Sequence, residues 1–356
     1  MASLLERAQK KGNPVIENGE AVFVWQGKKS PILSGDFNGW QHDQPLAMTE
    51  VEPAVWEARV PLPDDAYMEY AFFVTPNEDG RYRDPLSRHR KPNGIGQYNQ
   101  WFAMPKWKAA KETRRPRGIP VGKVTQQALE LKNGPLAGGK RDLWLYQPPT
   151  GRAVPLLLVW DGPVYLKRGV LARIADHLIA EGRIEPVAML LIQHGGRWNA
   201  RGIEYHTSEA TVALAENVLL PFARERLNLI DEKVMPGVHG VVGASMGGLM
   251  ALTTGFMLPH VFGRVISQAG MYAPWTSRGK PLIFDFIAGS ATPQPRVWLD
   301  CGTFDHLLEG NRQLRELLVQ KGADVTYHEY NTGHNYTAWA NSLVGALEAM
   351  FPPSGR

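Results

Sequence analysis

Residues 241–252 read VVGASMGGLMAL, and this string constrains the fold more tightly than any other. It contains G-x-S-x-G as Gly243, Ala244, Ser245, Met246 and Gly247. A β-forming run precedes it and a helix-forming run follows, the context in which a serine sits exposed on a sharp, strained strand-to-helix turn. Small residues two before and two after the serine let strand and helix approach closely. The N–H of Met246 and the helix N-terminus then favour negative charge developing beside the serine. A Gly-rich turn in an ordinary α/β fold is the bland alternative, and the flanking strand and helix argue against it.

The surrounding pattern agrees. QQALEL (126–131) and DLWLYQP (142–148) read as an antiparallel pair. Apolar strands then alternate with helices: PLLLVW (155–160), a helix near 168–181, VAMLLIQ (187–193), a helix near 208–226, VHGVVGA (238–244), a helix near 246–257 and RVISQAG (264–270). RVWLDCG (296–302), a helix near 307–321, VTYHEY (325–330) and a helix near 336–351 complete it. Apolar strands separated by helices predict an α/β domain over 124–356, a mostly parallel sheet with helices on both faces. No internal repeat is visible.

Before this domain the period changes. Residues 1–20 read as a lead-in segment. Residues 21–105 carry short aromatic-rich strands, AVFVWQG, PILSGDF, VWEARVPL, YMEYAFFV and YNQWFAM, which predict a small all-β sandwich. Residues 106–123 hold seven basic side chains and one acid among Pro and Gly, which reads as a linker; packing against the next domain is the alternative. The whole chain is +4, so the linker's +6 leaves −2 elsewhere, and a dispersed nucleic-acid footprint is not supported.

Serine at neutral pH needs a base, and the base needs an orienting group. Folds with this elbow order them as Ser, then an acid, then His. Asp305 lies just past the strand RVWLDCG, and His334 lies in the loop NTGHNY after VTYHEY. These are the carboxyl ends of parallel strands, where such sheets build their sites. Asp300, Glu309 and Glu329 are competing acids. His306 and His328 are competing bases, one adjacent to Asp305 and the other within a strand. Besides Met246, a second oxyanion donor should come from WDGPVYL (160–166). Pro163 has no N–H, so Val164 or Gly162 is expected to serve. GPLAGGKR (134–141) lacks the Ser/Thr and the following helix of a phosphate loop, and HEYNTGH (328–334) has the wrong spacing for a zinc motif. The single cysteine, Cys301, excludes an intrachain disulfide and reads as packing. No metal or organic cofactor is expected.

At this point the chain resembles a family. Residues 124–356 look like the esterase branch of the α/β-hydrolases that contains enterochelin esterases, feruloyl esterases and mycolyltransferases. KRDLWLYQPP (140–149), LLLVWDG (156–162), RGIEYHTSEA (201–210), VVGASMGGLMAL, GTFDHLLEGNRQLRELL (302–318) and HEYNTGHNYTAWANSL (328–343) carry the likeness in order. The resemblance implies Ser245 as nucleophile, His334 as general base and Asp305 as its orienter. The chain departs from it in Pro163 and in having Asn331, Thr332 and Gly333, not Gly-Gly, before His334. Arg201, Glu204 and Tyr205 match its R-x-x-E-Y string; a structural ion pair is one reading and Arg201 near the substrate the other. Asp161, Arg201, Trp198 and Trp275 are the expected substrate-bordering residues. Residues 21–105 resemble the immunoglobulin-like early-set modules related to glycogen- and starch-binding domains, through GDFNGW (35–40), VWEARVPL, YRDPLSRHRKPNGIG (82–96) and WFAMP (101–105). Trp40 and Trp56 there are either core or sugar platforms.

Together these readings predict a serine carboxylic-ester hydrolase acting on a small-molecule ester of siderophore or aryl type. The rivals are a feruloyl or acetyl polysaccharide esterase with a sugar-binding module, an acyltransferase, and a carbohydrate-binding protein with a disabled hydrolase domain. MASLLERAQKKGNP lacks a signal peptide's apolar core, and the apolar runs are too short to span a bilayer. A cytoplasmic protein without nucleic-acid or membrane partners is expected, and homo-oligomerisation is compatible with the sequence.

Overall fold

Alternating apolar and polar residues become antiparallel strands in the computed structural model, which describes residues 2–41, 45–74, 80–93, 97–131, 139–195, 199–272, 281–290 and 294–353. The chain divides into two units. The first comprises Met1–Ala109 with the segments Gly302–His306 and Glu329–Ala338. The second comprises Ala110–Cys301, Leu307–His328 and Trp339–Arg356.

In the first unit, helix α1 (Leu4–Lys11) precedes β1 (Val15–Glu17), β2 (Glu20–Gln26), β3 (Ile32–Gly35), β4 (Thr49–Glu52), β5 (Val55–Pro61), β6 (Tyr67–Phe73), β7 (Arg81–Tyr82), β8 (Arg90–Pro92) and β9 (Tyr98–Ala103). One sheet has the order β1-β2-β5-β4 and the other β3-β6-β9-β8, with β7 on β6. Phe23, Ala58, Tyr70, Phe72 and Phe102 from the two sheets share one core, as a sandwich requires. Phe23 meets the Tyr70 ring edge-on at 4.9 Å.

Residues 1–20 are not a passive lead-in. Ser3 and Glu6 form a reciprocal capping box that starts α1. Leu4 and Ala8 then pack against Val15, Val22 and Val24, and β1 adds a strand to the first sheet. Trp56 packs on the sandwich core and donates its indole N–H to Gly27 O at 2.9 Å. Trp40 donates to Asp36 Oδ1 at 2.8 Å. Both rings are half-buried and tied by their N–H groups, the structural reading of the two.

The second unit is built on β10 (Lys123–Glu130), β11 (Lys140–Gln147), β12 (Leu156–Trp160), β13 (Ala188–Ile192), β14 (His239–Ala244), β15 (Phe262–Gln268), β16 (Arg296–Gly302) and β17 (Val325–Tyr330), ordered β10-β11-β13-β12-β14-β15-β16-β17. β10 and β11 are antiparallel; β13, β12, β14, β15 and β16 run parallel. Every residue of β12, β13 and β14 is buried, as strands covered on both faces must be. The helices are α2 (Gly162–Lys167), α3 (Leu171–Ala180), α4 (Ala200–Tyr205), α5 (Glu209–Leu214), α6 (Leu220–Arg224), α7 (Met246–Met257), α8 (Leu282–Gly289), α9 (Leu308–Gln320) and α10 (Tyr336–Met350). This is the predicted α/β-hydrolase architecture. Residues 134–138 of the rejected phosphate-loop string lie outside the described residues, and those that follow begin β11, antiparallel to β10.

The basic segment is less of a free linker than its composition suggests. From Ala110 onward it groups with the second unit. Glu112 is buried and pairs with Arg183, while Gly122 N donates to Asp176 Oδ1 at 2.7 Å. Counting charges conceals the one acid that anchors the segment. Among the described residues, no helix is long and apolar enough to cross a membrane.

Candidate active site

The turn between β14 and α7 holds Ser245 at φ +59° and ψ −123°, a region that costs a non-glycine residue on the order of 1–3 kcal/mol. The surrounding hydrogen bonds enforce it. Ser245 N donates to Gln268 O at 2.9 Å, and Ser245 O accepts from Gly248 N and Met271 N, both at 3.0 Å. The small residues are obligatory here. A Cβ on Gly243 would lie 2.0 Å from Gly247 O, and one on Gly248 would lie 2.8 Å from Ser267 Oγ. Ser245 stays half-exposed between buried Ala244 and buried Met246. The Met246 N–H, in the first turn of α7, has no intrahelical acceptor.

At the end of β12, Asp161 turns the chain with φ +57°. Gly162 follows, and a Cβ there would lie 2.6 Å from Leu191 C, so glycine alone fits. Val164 does not suit the oxyanion role expected of it. Its N–H donates to Asp161 O at 3.0 Å, because the turn starting at Pro163 directs that amide back into α2. Gly162 opens the helix with a first-turn N–H, which leaves it as the other candidate donor.

Asp161 and Arg201 meet each other. Arg201 Nε and Nη2 donate to the Asp161 carboxylate at 3.0 and 2.7 Å, and Nη2 also reaches Ala244 O at 3.3 Å. Asp161 is buried, and a Cβ on Gly247 would come within 3.1 Å of its Oδ2. The pair therefore braces the elbow through Ala244 and Gly247, with the Asp161 carboxylate held by Arg201. Glu204 takes a different partner: Arg141 donates Nη1 and Nη2 to its two oxygens at 3.0 and 2.7 Å, both side chains buried. Trp198 and Trp275 lie outside the described residues.

Asp305 and His334 are brought together in the first unit. The Asp305 side chain is fully buried, and its Oδ2 lies 2.8 Å from His334 Nδ1. His306 stands on the other oxygen, 3.5 Å away, with its ring 5.1 Å from that of His334. Partial burial and the neighbouring His334 hold His306 below the usual histidine range. The donor atoms of these three residues lie within 4.8 Å of one another, the one such group among the described residues. Asp305 joins the three: one carboxylate oxygen faces His334 Nδ1 and the other faces His306 Nδ1.

Three of the rival acids and bases, Asp300, His328 and Glu309, are engaged elsewhere. Asp300 Oδ2 accepts from Trp298 Nε1, Gln268 Nε2 and Ser342 Oγ at 2.8, 3.1 and 2.6 Å. His328 stacks on Trp298 at 4.6 Å. Glu309 accepts from Gln313 one helical turn on. Cys301 is buried, consistent with packing.

Comparison with known proteins follows the same lines. A family model described as "Putative esterase" matches residues 136–350. The chain is 26% identical over 355 residues to the iron(III) enterobactin esterase of Dickeya dadantii, covering 92% of this chain and 76% of that protein. In fold it is similar to the enterobactin esterase of Shigella flexneri in the presence of enterobactin, with 19% identity, a TM-score of 0.76 and coverage of 93% and 92%. It is also similar in fold to a ferulic acid esterase of Anaeromyces mucronatus in complex with ferulic acid, with 17% identity, a TM-score of 0.56 and coverage of 69% of this chain and 98% of that one.

Proposed function

This chain belongs to that esterase family and is a carboxylic ester hydrolase, and we propose that it works as a serine esterase through an acyl-enzyme on Ser245. The observation that carries the reading is the backbone of Ser245, held at φ +59° by strand and helix neighbours that admit no larger residue. Strain of this kind persists where a function needs it.

In the proposed mechanism His334 takes the Ser245 hydroxyl proton as Oγ attacks the ester carbonyl. Asp305, on His334 Nδ1, fixes the tautomer that leaves Nε2 as base and stabilises the imidazolium that forms. The amides of Met246 and Gly162 hold the oxyanion. His334 then protonates the leaving alcohol, and water, activated by the same imidazole, clears the acyl group.

The substrate class we favour is a small-molecule ester of siderophore type. The relative from Dickeya dadantii, named an iron(III) enterobactin esterase, supports this over most of the chain's length. The test is a screen of the purified protein against a catecholate trilactone, methyl ferulate and p-nitrophenyl acetate. Turnover led by the trilactone, lost in a normally folded Ser245→Ala variant, is the expected result. Full activity in Ser245→Ala refutes the mechanism. Preference for methyl ferulate moves the substrate to the feruloyl class.

A further inference from the structure

We propose that Asp36, in the N-terminal β-rich segment, is a positioning residue for His334. This rests on the reading of His334 as general base. Asp36 opens the turn after β3 and is 1% exposed. Its carboxylate accepts three hydrogen bonds. Oδ1 accepts from Trp40 Nε1 at 2.8 Å. Oδ2 accepts from Glu69 N at 2.8 Å and from Asn335 Nδ2 at 3.1 Å.

Asn335 directly follows His334 and is fixed at both ends. Its Oδ1 accepts from Thr337 N and Ala338 N at 3.1 and 3.0 Å, which caps the start of α10. Its Nδ2 reaches back to Asp36. On the other side of His334, Gly333 lies against the same carboxyl: a Cβ there would be 2.3 Å from Asp36 Cγ. Asp36 thus touches the residues on either side of His334. The rest of the loop is tied down nearby. Tyr67 N donates to Asn331 O at 3.0 Å, and Asn331 Nδ2 donates to Asp65 Oδ1 at 2.8 Å. Phe304 N, next to Asp305, donates to Thr332 O at 3.1 Å.

The carboxylate is costly to keep. Burial, helped by the charge of Glu69, pushes Asp36 up to about 7. An asparagine would avoid that cost but cannot do the same work. Its NH2 would face either the Trp40 N–H or the pair of donors on Oδ2, so at least one donor is orphaned. The yield of the arrangement is the 2.8 Å contact between His334 and Asp305. Displacing a catalytic group by about 1 Å costs about 100-fold in rate, which is the scale expected when the anchor goes.

The experiment compares His334→Ala, Asp36→Asn and Gly333→Ala in the full chain, using p-nitrophenyl acetate from pH 5 to 9 with the folded fraction measured by circular dichroism. His334→Ala tests the underlying reading; retained activity overturns it whatever Asp36 does. With His334→Ala inactive, Asp36→Asn is expected to lower kcat by about 10- to 100-fold per folded molecule with KM within about twofold. With KM unchanged, the loss reads as a misplaced catalytic group and not as weakened ester binding. A drop in Tm with kcat unchanged means a structural role only and overturns the proposal. Should Asp36→Asn fail to fold, Gly333→Ala decides: it keeps the carboxyl group but sets a methyl against it, forcing the loop and the carboxyl apart. The same kcat loss at unchanged KM supports the proposal, and an unchanged kcat overturns it.

Discussion

His239, at the start of β14, has no exposed surface. Its Nδ1 accepts the Leu156 N–H at 3.1 Å, so the neutral ring carries its proton on Nε2. Burial, reinforced by the cations Arg224 and Arg264 and opposed by Asp231, pushes it down to about 4. Glu232 comes within 3.6 Å of Nε2, but Arg224 already claims its carboxylate. The unfolded chain takes up the proton near pH 6.5, well before the folded one does. The folded state therefore binds fewer protons, and this histidine's contribution is complete above pH 6.5 and lost as pH falls toward 4. The shift corresponds to about 3 kcal/mol in full and about 2 kcal/mol between pH 7.5 and 5. Urea unfolding of the native chain and of His239→Gln at those two pH values reads the difference directly, because the other titrating groups cancel. The stability gap between the two proteins should change by about 2 kcal/mol in favour of the variant at pH 5. A gap independent of pH, or a His239 Cε1 proton that titrates near 6.5 by NMR, refutes the reasoning.

Other perturbations follow from the same structure. Glu204→Gln leaves Arg141 buried without its counter-charge and should cost about 3–5 kcal/mol in chemical denaturation, more than the joint replacement Arg141→Met with Glu204→Leu. Gly243→Ala sets a methyl 2.0 Å from a backbone oxygen, so α7 must shift; a stability loss of about 1–3 kcal/mol and a more than tenfold fall in esterase rate are expected. Asp305→Asn keeps the shape of the pair with His334 but permits the wrong tautomer, and kcat should drop by about 10³- to 10⁴-fold with KM little changed.

Much of this was legible in the sequence because its signals are local. The elbow shows in glycine spacing between a strand run and a helix run. Asp305 was separable from Asp300 because the latter falls inside a strand, and the structure gives Asp300 three donors. What stayed hidden is long-range polar pairing. Asp161 and Arg201 are 40 residues apart, Arg141 and Glu204 63, and Asp36 and Asn335 299. Periodicity carries no information about which carboxylate a distant arginine or amide will find. Asp36 lay in a string, GDFNGW, that stood out only by resemblance. Val164 illustrates a different gap: Pro163 removes one N–H, but only the turn's geometry shows that the next is spent on Asp161 O. The capping box of α1 was readable as S-x-x-E at Ser3 and Glu6, yet so short a helix is decided by its packing on Val15 and Val22.

The proposed mechanism turns on one covalent event, the transfer of an acyl group to Ser245. Intact-protein mass spectrometry after exposure to a fluorophosphonate, with peptide mapping, tests it most directly. A single phosphonyl adduct on Ser245, formed in the native chain and strongly slowed in His334→Ala, is the predicted result. Ester turnover with Ser245 unmodified, or an adduct on another residue, contradicts it.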